Sequence, residues 1–210
     1  MTAVGILHPG EMGAAVGALL ADGWWAPDGR SAETATRARE AGLREASLPE
    51  LLERCAVVLS ICPPHAALDV ARAAAGFRGL YCDANAVSPA TALEVARIVE
   101  EGGATFVDGG IVGGPPREAG TRLYLSGREA PAVAALFAGT GRLDCLIDER
   151  ARAGDLRARL GELLVVRRCG RRGGDGDAGE EQQHEWEAAH PVSSPAAASA
   201  PGRGRSSSPR

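Results

Sequence analysis

Two apolar patterns alternate along residues 1–147. Short runs such as Ala3–Leu7 and Ala56–Ile61 are apolar at nearly every position, which is typical of strands buried on both faces of a sheet. Between such runs, segments such as Met12–Ala21 carry apolar side chains at helical spacing. Because strand and helix signals alternate with short gaps, the pattern predicts an α/β fold with a doubly wound, mostly parallel sheet and crossover helices.

The remaining elements follow the same alternation. Further strands are predicted at Trp24–Ala26, Leu80–Asp83, Thr105–Asp108, Thr121–Ser126 and Leu143–Ile147. Further helices are predicted at Ala32–Ala41, 47–54, 64–75, Ala90–Glu101 and Ala130–Ala138. Ser31, Ser47 and Ser88 stand where N-caps are expected. The segment Gly109–Gly114 is predicted to be a glycine-rich turn.

The pattern ends after about residue 147. Residues 148–166 predict one weak helix or a linker, and residues 167–210 contain no Leu, Ile, Phe or Met. A segment dominated by Arg, Gly, Ala, Ser and Pro buries too little apolar surface to offset its chain entropy, so we expect a disordered tail. Two origins stay open for this tail: a coding frame that has shifted and so truncated the protein, or a genuine disordered extension.

The composition argues against several classes of function. The chain has 210 residues and a formal net charge of −4, so it lacks the basic excess of nucleic-acid-binding proteins. Its apolar runs are too short to span a membrane, and we expect a soluble, cytoplasmic protein. The five cysteines show no CxxC or His/Cys ligand spacing, so we expect reduced thiols and no metal site.

The first predicted strand leads into the turn LHPGEMG. In a dinucleotide-binding turn the first glycine permits a tight bend, the second lets the backbone approach a pyrophosphate, and the third lets the helix pack on the strand. His8 stands at the first of these places, Gly10 at the second and Gly13 at the third. Since the turn follows a strand and opens a helix, it predicts a Rossmann-type fold that binds a dinucleotide.

The other residues of this turn complete the predicted cradle. The amides near Glu11, Met12 and Gly13 lie at a helix start, where an anion is favoured. Pro9 stiffens the turn. Two interpretations of His8 stay open: it packs the turn, which we favour, or it contacts the cofactor directly. For the whole motif the alternative is a merely structural strand–helix turn.

The segment after the second predicted strand bears on the choice of cofactor. A carboxylate at this place would bind the adenosine 2′-hydroxyl of NAD, whereas an arginine would bind the 2′-phosphate of NADP. The candidates are Asp28, Arg30 and Ser31. Because a guanidinium fork suits a phosphate and Ser31 supplies a second donor, we favour NADP over NAD. The alternative for Arg30 is a solvated charge at the entry to a helix.

Several motifs follow HPGEMG in order along the chain: ICPP, DANAVSP, FVDGGIVGGPP and GTRLYLSG. Together they resemble the 6-phosphogluconate dehydrogenase and 3-hydroxyisobutyrate dehydrogenase superfamily, and most closely its little-characterised branch with a helical second domain. The resemblance covers residues 3–147. It implies a Rossmann domain, NAD(P)-dependent oxidation of a β-hydroxy acid or the reverse reduction, and usually a dimer formed through helical C-terminal domains.

The resemblance also implies roles for individual residues. The pyrophosphate cradle would be formed by Gly10, Glu11, Met12 and Gly13. Cys62 and Pro63 would line the nicotinamide side, and Asn85 would meet the nicotinamide ribose unless it merely caps its loop. Gly113 and Gly114 match the turn that meets a substrate carboxylate.

Two departures from the family pattern bear on activity. The family usually has a serine where this chain has Val112, which puts the usual hydroxy-acid substrate in question. The family's proton-transferring lysine is also missing, because all 23 basic residues are arginine, which stays charged at any working pH. The resemblance therefore implies an oxidoreductase that is weakly active or inactive as this chain, with a homodimer weakened by the missing helical domain.

Two other classes of function stay in consideration. The first is a non-catalytic dinucleotide-binding module. The second is a Rossmann-type domain for a methyl donor or a nucleotide sugar, against which the GEMG and GRS motifs argue.

Overall fold

The computed structural model describes residues 2–148 and 154–156. Eight strands form one sheet: β1 (Val4–Leu7), β2 (Gly23–Trp25), β3 (Arg44–Glu45), β4 (Val57–Ser60), β5 (Leu80–Asp83), β6 (Thr105–Val112), β7 (Thr121–Ser126) and β8 (Leu143–Asp148). Their order is β3-β2-β1-β4-β5-β6-β7-β8. The first six positions reproduce the strand order of dinucleotide-binding Rossmann folds, so the predicted fold class is confirmed.

Parallel pairing extends from β3 to β6, and then the direction reverses. β7 runs antiparallel to β6, with Gly110 opposite Tyr124, and β8 runs parallel to β7. The reversal is possible because the short segment 113–120 joins β6 to β7 as a hairpin, whereas parallel neighbours need a crossover. The sheet is therefore mostly parallel, as predicted.

In the described part of the chain, six α-helices cover the two faces of the sheet: α1 (Glu11–Gly17), α2 (Ala32–Glu40), α3 (Leu48–Arg54), α4 (Ala67–Ala73), α5 (Pro89–Glu101) and α6 (Ala130–Ala135). One core packs α1, α2 and α6 against the sheet, with Ile6 and Trp25 fully buried. The other packs α3, α4 and α5 on the opposite face around Leu51 and Tyr81. Helices on both faces explain why β1 and β4 are buried at every position.

The structure corrects the predicted turn at Gly109–Gly114. Strand β6 continues to Val112, so Gly109 and Gly110 lie within the strand. A Cβ atom at Gly109 would lie 3.1 Å from the Cys82 sulfur and 3.3 Å from the Asp83 carbonyl oxygen. Glycine is therefore needed there for close packing between neighbouring strands rather than for a turn.

Other predicted boundaries also shift. Helix α1 ends at Gly17 rather than Ala21, and the predicted helix 64–75 is a 3-10 turn, Pro64–Ala66, followed by α4. Strand β3 was missed because it contributes only two exposed residues, Arg44 and Glu45. The cause is local, because a glycine at the end of α1 and a two-residue edge strand each leave little periodic signal in the sequence.

The short described segment after β8 packs back on the sheet. The Gly154 amide donates a hydrogen bond of 3.0 Å to the buried Asp108 carboxylate, and Leu156 is buried against Tyr124. Most of the predicted weak helix or linker at 148–166, and all of the predicted tail at 167–210, lie outside the described residues. Among the described helices, none is long and apolar enough to cross a membrane.

Candidate functional site

The candidate site is a crevice at the carboxyl ends of β1 and β4. Strand β1 pairs with β2 on one side and β4 on the other, so the crossover connections leave β1 in two directions. In open α/β sheets, ligands bind at such a switch point. The loop after β1 contributes His8, the turn after β2 contributes Arg30, and the segments after β4 and β5 contribute Cys62 and Asn85.

The turn between β1 and α1 is tight and contains an unusual backbone conformation. His8 has a φ of +71°, the only positive φ among the described non-glycine residues, and its carbonyl oxygen accepts a 2.7 Å hydrogen bond from the Gly10 amide. A glycine adopts this left-handed conformation without steric cost, whereas other residues rarely do. His8 thus occupies the structural position of the first glycine, as the sequence alignment predicted.

The two glycines that follow have different surroundings. A Cβ atom at Gly13 would lie 3.1 Å from the His8 carbonyl oxygen and 3.5 Å from that of Ile61, so this residue allows α1 to pack on the strands. At Gly10 the nearest atom would be the His8 Nδ1, 4.0 Å away, which leaves open space in the crevice. This is the arrangement that the second and third glycines of a dinucleotide-binding turn require.

The remaining residues of the predicted cradle take separate positions. Pro9 is buried, Met12 packs against the core, and Glu11 is exposed. The side chains of Pro9 and Met12 carry no hydrogen-bond donor, so the predicted contribution of these residues to the cradle rests on the backbone. The Glu11 carboxylate instead forms an ion pair with Arg117, at 3.2 Å.

A β-turn after β2 presents the residues that bear on cofactor choice. The Arg30 amide donates to the Pro27 carbonyl oxygen at 3.0 Å, and Gly29 has a φ of +69°. Ser31 caps α2 by accepting a hydrogen bond from the Thr34 amide. Arg30 is half-buried, whereas Asp28 is exposed. The carboxylate of Asp28 and the guanidinium of Arg30, the two predicted alternatives, thus lie in the same turn after β2.

A cavity of about 260 Å³ joins these two turns. His8, Asp28 and Arg30 lie on one side of it, and Asp69 with Val70 of α4 lies on the other. Apolar side chains such as Leu7 and Ala26 also line it. The cavity combines an apolar surface with a few convergent polar groups, which is typical of a small-molecule site.

Several buried nitrogen atoms of His8 and of the arginines that act on it lack hydrogen-bond partners among the described residues. They are the His8 Nδ1, the Arg30 Nε and the Arg37 Nε. Buried polar atoms in native proteins are nearly always hydrogen-bonded, so each such atom needs an explanation. Two of them belong to residues that line this cavity, His8 and Arg30, and they indicate a ligand that supplies acceptors.

Arg37 was not among the predicted site residues. It lies on α2, seven residues after Arg30, and its guanidinium donates to the Thr34 hydroxyl at 3.3 Å. Arg30 precedes α2, in the turn after β2, so helical periodicity does not relate the two residues. Arg37 is connected to this region by its electrostatic effect on the His8 imidazole, which gives no signal in the sequence.

The electrostatic surroundings act on His8. Burial lowers the pKa of its imidazole below the ordinary value, and the positive charge of Arg30 lowers it further, with smaller effects from Arg37 and His65. The imidazole is therefore held in its neutral form near neutral pH. In this form one ring nitrogen donates and the other accepts.

The side of the crevice near β4 and β5 is closed by Asn85. This side chain is 2% exposed. Its amide nitrogen donates to the Ser60 hydroxyl at 2.9 Å and to the Asp83 carboxylate, and its amide oxygen accepts from the Cys62 backbone. Asn85 therefore connects the ends of two neighbouring strands. Its predicted contact with a nicotinamide ribose stays a prediction, as do those of Cys62 and Pro63.

Burial also affects the Cys62 thiol. Its pKa is raised, mainly by burial, and the side chain is half-buried beside the Ser60 hydroxyl. Pro63 is exposed at the start of the 3-10 turn. The thiol is thus held in the neutral form at the edge of the crevice.

Gly113 and Gly114 lie at the β6–β7 hairpin. Gly113 has a φ of +118°, and the Gly114 carbonyl oxygen accepts a 2.7 Å hydrogen bond from the Thr121 hydroxyl. The Arg117 ion pair with Glu11 brings this hairpin next to the start of α1. The predicted substrate turn and the predicted pyrophosphate cradle therefore lie near one another, although they are separated by about a hundred residues in sequence.

Several solved structures share the fold of the described residues. The conserved protein MTH1747, of unknown function, whose structure is similar to 3-hydroxyacid dehydrogenases, matches with a TM-score of 0.65 and 30% identity over 77% of this chain and 62% of its own. The 3-hydroxyisobutyrate dehydrogenase of Mycobacterium tuberculosis, solved with L-serine, matches with a TM-score of 0.62 and 23% identity over 79% of this chain and 60% of its own. The described part of the chain has the Rossmann fold of 3-hydroxyacid dehydrogenase-like proteins. The resemblance drawn from the motifs is thereby confirmed.

Other structural neighbours reduce imines. A reductive aminase from Aspergillus terreus, in complex with NADPH and ethyl-5-oxohexanoate, matches with a TM-score of 0.62 and 20% identity over 81% of this chain and 63% of its own. An imine reductase from Myxococcus stipitatus, in complex with NAD+, matches at 19% identity with a TM-score of 0.61, over 81% of this chain and 62% of its own. The chain spans about three fifths of the length of these structures. Neither a protein-family model nor a curated protein matches the sequence.

Proposed function

We propose that this chain is the nicotinamide-dinucleotide-binding part of an NAD(P)-dependent oxidoreductase of the β-hydroxyacid dehydrogenase type. The observation that supports this proposal best is the crevice at the switch point of the sheet. There, Gly13 allows α1 to approach the strands and Gly10 leaves space beside the turn. Neighbours with the same fold include complexes with NAD+ and NADPH.

The residues present fit such a cofactor. Open space at Gly10 and the amides at the start of α1 would take the diphosphate. The unpartnered Arg30 Nε, beside the cavity, would take a phosphate on the adenosine ribose. When bound, the nicotinamide supplies the hydride acceptor or donor. Gly113 and Gly114, close to this crevice, would position a small hydroxy-acid substrate through its carboxylate.

We further propose that the cofactor is NADP rather than NAD. Arg30 is half-buried with a nitrogen that lacks a partner among the described residues, and Arg37, on α2, has another such nitrogen. The competing group, Asp28, is exposed. Two guanidinium groups that both act on His8 favour a phosphate over a free hydroxyl.

Turnover by this chain alone is expected to be weak or absent. The sequence contains arginine but no lysine, and a positioned acid or base contributes about 10²–10⁴ in rate. The alternative is a non-catalytic dinucleotide-binding module, which the same missing lysine favours. A homodimer stays a prediction for either function.

Fluorescence titration with NADPH and NADH tests the binding proposal. We expect NADPH to bind more tightly than NADH, and Arg30→Ala to weaken NADPH by about tenfold or more, since a charge-assisted hydrogen bond contributes about 1.5–3 kcal/mol. Arg39→Ala is the matched control, because Arg39, on the following helix α2, is exposed and does not line the cavity. If neither cofactor binds, the proposed function is wrong; if Arg30→Ala leaves NADPH affinity unchanged, the preference for NADP is wrong.

A second experiment separates the oxidoreductase from the non-catalytic module. Small β-hydroxy acids are screened with NADP while the absorbance of the reduced cofactor is followed. Slow but protein-dependent reduction would support the oxidoreductase. A protein that binds NADPH tightly and reduces none of them would favour the module.

A further inference from the structure

We propose that the His8 imidazole is a ligand of the adenosine 2′-phosphate of NADP, together with Arg30. This inference rests on the proposed function and extends it. It assigns to His8 the role that the sequence interpretation ranked second, a direct contact with the cofactor, and it makes His8 a determinant of specificity for NADP.

The backbone at His8 provides the first argument. Its φ of +71° lies in the left-handed region, which costs a non-glycine residue about 1–3 kcal/mol unless its surroundings compensate. Glycine would form the same turn without this cost. A turn that only needed to bend would therefore be more stable with glycine at this position. The side chain must contribute something that glycine does not.

The imidazole has spare hydrogen-bonding capacity within the described protein. Its Nδ1 is buried without a hydrogen-bond partner among the described residues. A Cβ atom added at Gly10 would lie 4.0 Å from this nitrogen. Leaving a buried polar atom unsatisfied costs about 1–3 kcal/mol, and a ligand that accepts a hydrogen bond would remove that cost.

The charged groups around His8 identify the class of ligand. Arg30 and Arg37 act on it from the β2–α2 side, and His65 acts from the 3-10 turn that precedes α4. Two carboxylates, Asp28 and Asp69, line the same cavity. Both are exposed, whereas the unpartnered nitrogens of His8, Arg30 and Arg37 are buried. The buried surface of this site therefore carries donors and positive charge, which a phosphate dianion complements.

This arrangement couples binding to protonation. The neighbouring cations and burial keep the imidazole neutral when it faces no anion. A phosphate dianion beside it favours the imidazolium, because an opposite charge raises the pKa of a histidine. Binding of NADP then takes up a proton from solvent at His8, and affinity rises as the pH falls toward the ordinary pKa of histidine.

Two substitutions at His8 separate a ligand from a packing residue. His8→Gly keeps the left-handed turn and removes the imidazole. His8→Asn also tolerates the left-handed conformation and keeps a hydrogen-bond donor, but it does not titrate. Thermal unfolding is measured for both, and we expect His8→Gly to melt at a higher temperature than the wild type because the backbone strain is relieved.

Calorimetric titration with NADPH and NADH gives the decisive measurement, at about pH 6 and about pH 8 and in two buffers of different ionisation enthalpy. We expect His8→Gly to weaken NADPH about tenfold at the lower pH, which is the usual effect of one charge-assisted hydrogen bond. NADH affinity should change less than twofold. Because the 2′-phosphate titrates in every variant, only the proton uptake that the wild type shows in excess of His8→Asn belongs to His8.

Each outcome decides the proposal. If His8→Gly binds NADPH as the wild type does at both pH values, His8 only packs the turn and the inference is wrong. Equal losses for NADPH and NADH would place the contact at the diphosphate and overturn the assignment to the 2′-phosphate. A wild-type protein that binds neither cofactor refutes the proposed function itself, and is distinguished from the first outcome by the absence of any binding.

Discussion

The two sides of the crevice differ in whether their buried polar atoms have hydrogen-bond partners. On the β1–β2 side, nitrogens of His8, Arg30 and Arg37 are buried without partners among the described residues. On the β4–β5 side, the Asn85 amide donates to Ser60 and to Asp83, and its oxygen accepts from the Cys62 backbone. One side has spare hydrogen-bonding capacity, and the other connects the ends of its own strands.

This difference separates binding from support. Unsatisfied buried donors destabilise the folded protein and gain from a ligand, so substitutions on the β1–β2 side should change affinity more than stability. A satisfied network stabilises the fold, so substitutions on the β4–β5 side should do the reverse. Variants on each side, measured for stability and for cofactor affinity, test this difference.

The largest effect is expected from Gly13→Val, because Gly13 supports both sides. The new side chain would meet the backbone oxygens of His8 and Ile61, and such overpacking costs about 1–3 kcal/mol or more. We expect a lower free energy of unfolding in urea and the loss of NADPH binding. Gly10→Ala is the matched control, since that position is open. It should keep the stability of the wild type and weaken the cofactor only; equal stability of both variants would contradict the packing role of Gly13.

Asn85→Ala should rank second. It removes one hydrogen-bond partner each from Ser60, Asp83 and the Cys62 amide, and a buried group left unsatisfied costs about 1–3 kcal/mol. We expect lower stability in urea, whereas affinity for 2′,5′-ADP, which carries no nicotinamide, should change less than twofold. A larger loss of 2′,5′-ADP affinity would show that the two sides are not independent.

Asn85→Asp gives the same comparison in a different form, because it keeps the shape of the side chain. At neutral pH it places a second carboxylate beside Asp83, and like charges disfavour the ionised form. The pKa of the pair is then raised in the folded protein. Stability lost at neutral pH should be recovered as the pH falls, because the protonated carboxyl can again donate a hydrogen bond.

Ser31→Ala should have a smaller effect on stability but a selective effect on binding. It removes the N-cap of α2, which costs about 1 kcal/mol, and a donor beside Arg30. Ser47→Ala is the control: Ser47 donates to Glu50 at the start of α3 and does not itself line the cavity. We expect both variants to lose similar stability by thermal unfolding. Only Ser31→Ala should weaken NADPH, and a similar loss in Ser47→Ala would contradict a specific role.

Arg117→Ala should have the smallest effect. Its ion pair with Glu11 is exposed at both ends, and exposed ion pairs contribute about 0–1 kcal/mol. Stability should change by less than 1 kcal/mol, and raising the salt concentration should remove the difference. A loss greater than this in denaturant titration would show that the hairpin contributes more to holding the start of α1 than its exposure indicates.

The motifs predicted more of this molecule than their length would suggest. Gly13, Ser31 and Ser88 were assigned correctly as a packing glycine and two helix caps, because each effect acts within one or two helical turns. The turn predicted at Gly109–Gly114 begins only at Gly113, because β6 continues to Val112 and Gly109 allows close packing on the neighbouring strand. The sequence carries no local signal that distinguishes these two uses of glycine.

The sequence by itself determined the alternation of elements, the fold class and the turn that replaces a glycine by His8. Those features depend on periodicity and on short-range backbone preferences, which are encoded locally. Only the tertiary structure decided which polar atoms have partners. Whether Asn85 is engaged and the His8 nitrogen is free depends on side chains from separate strands and helices that meet only when the sheet has formed.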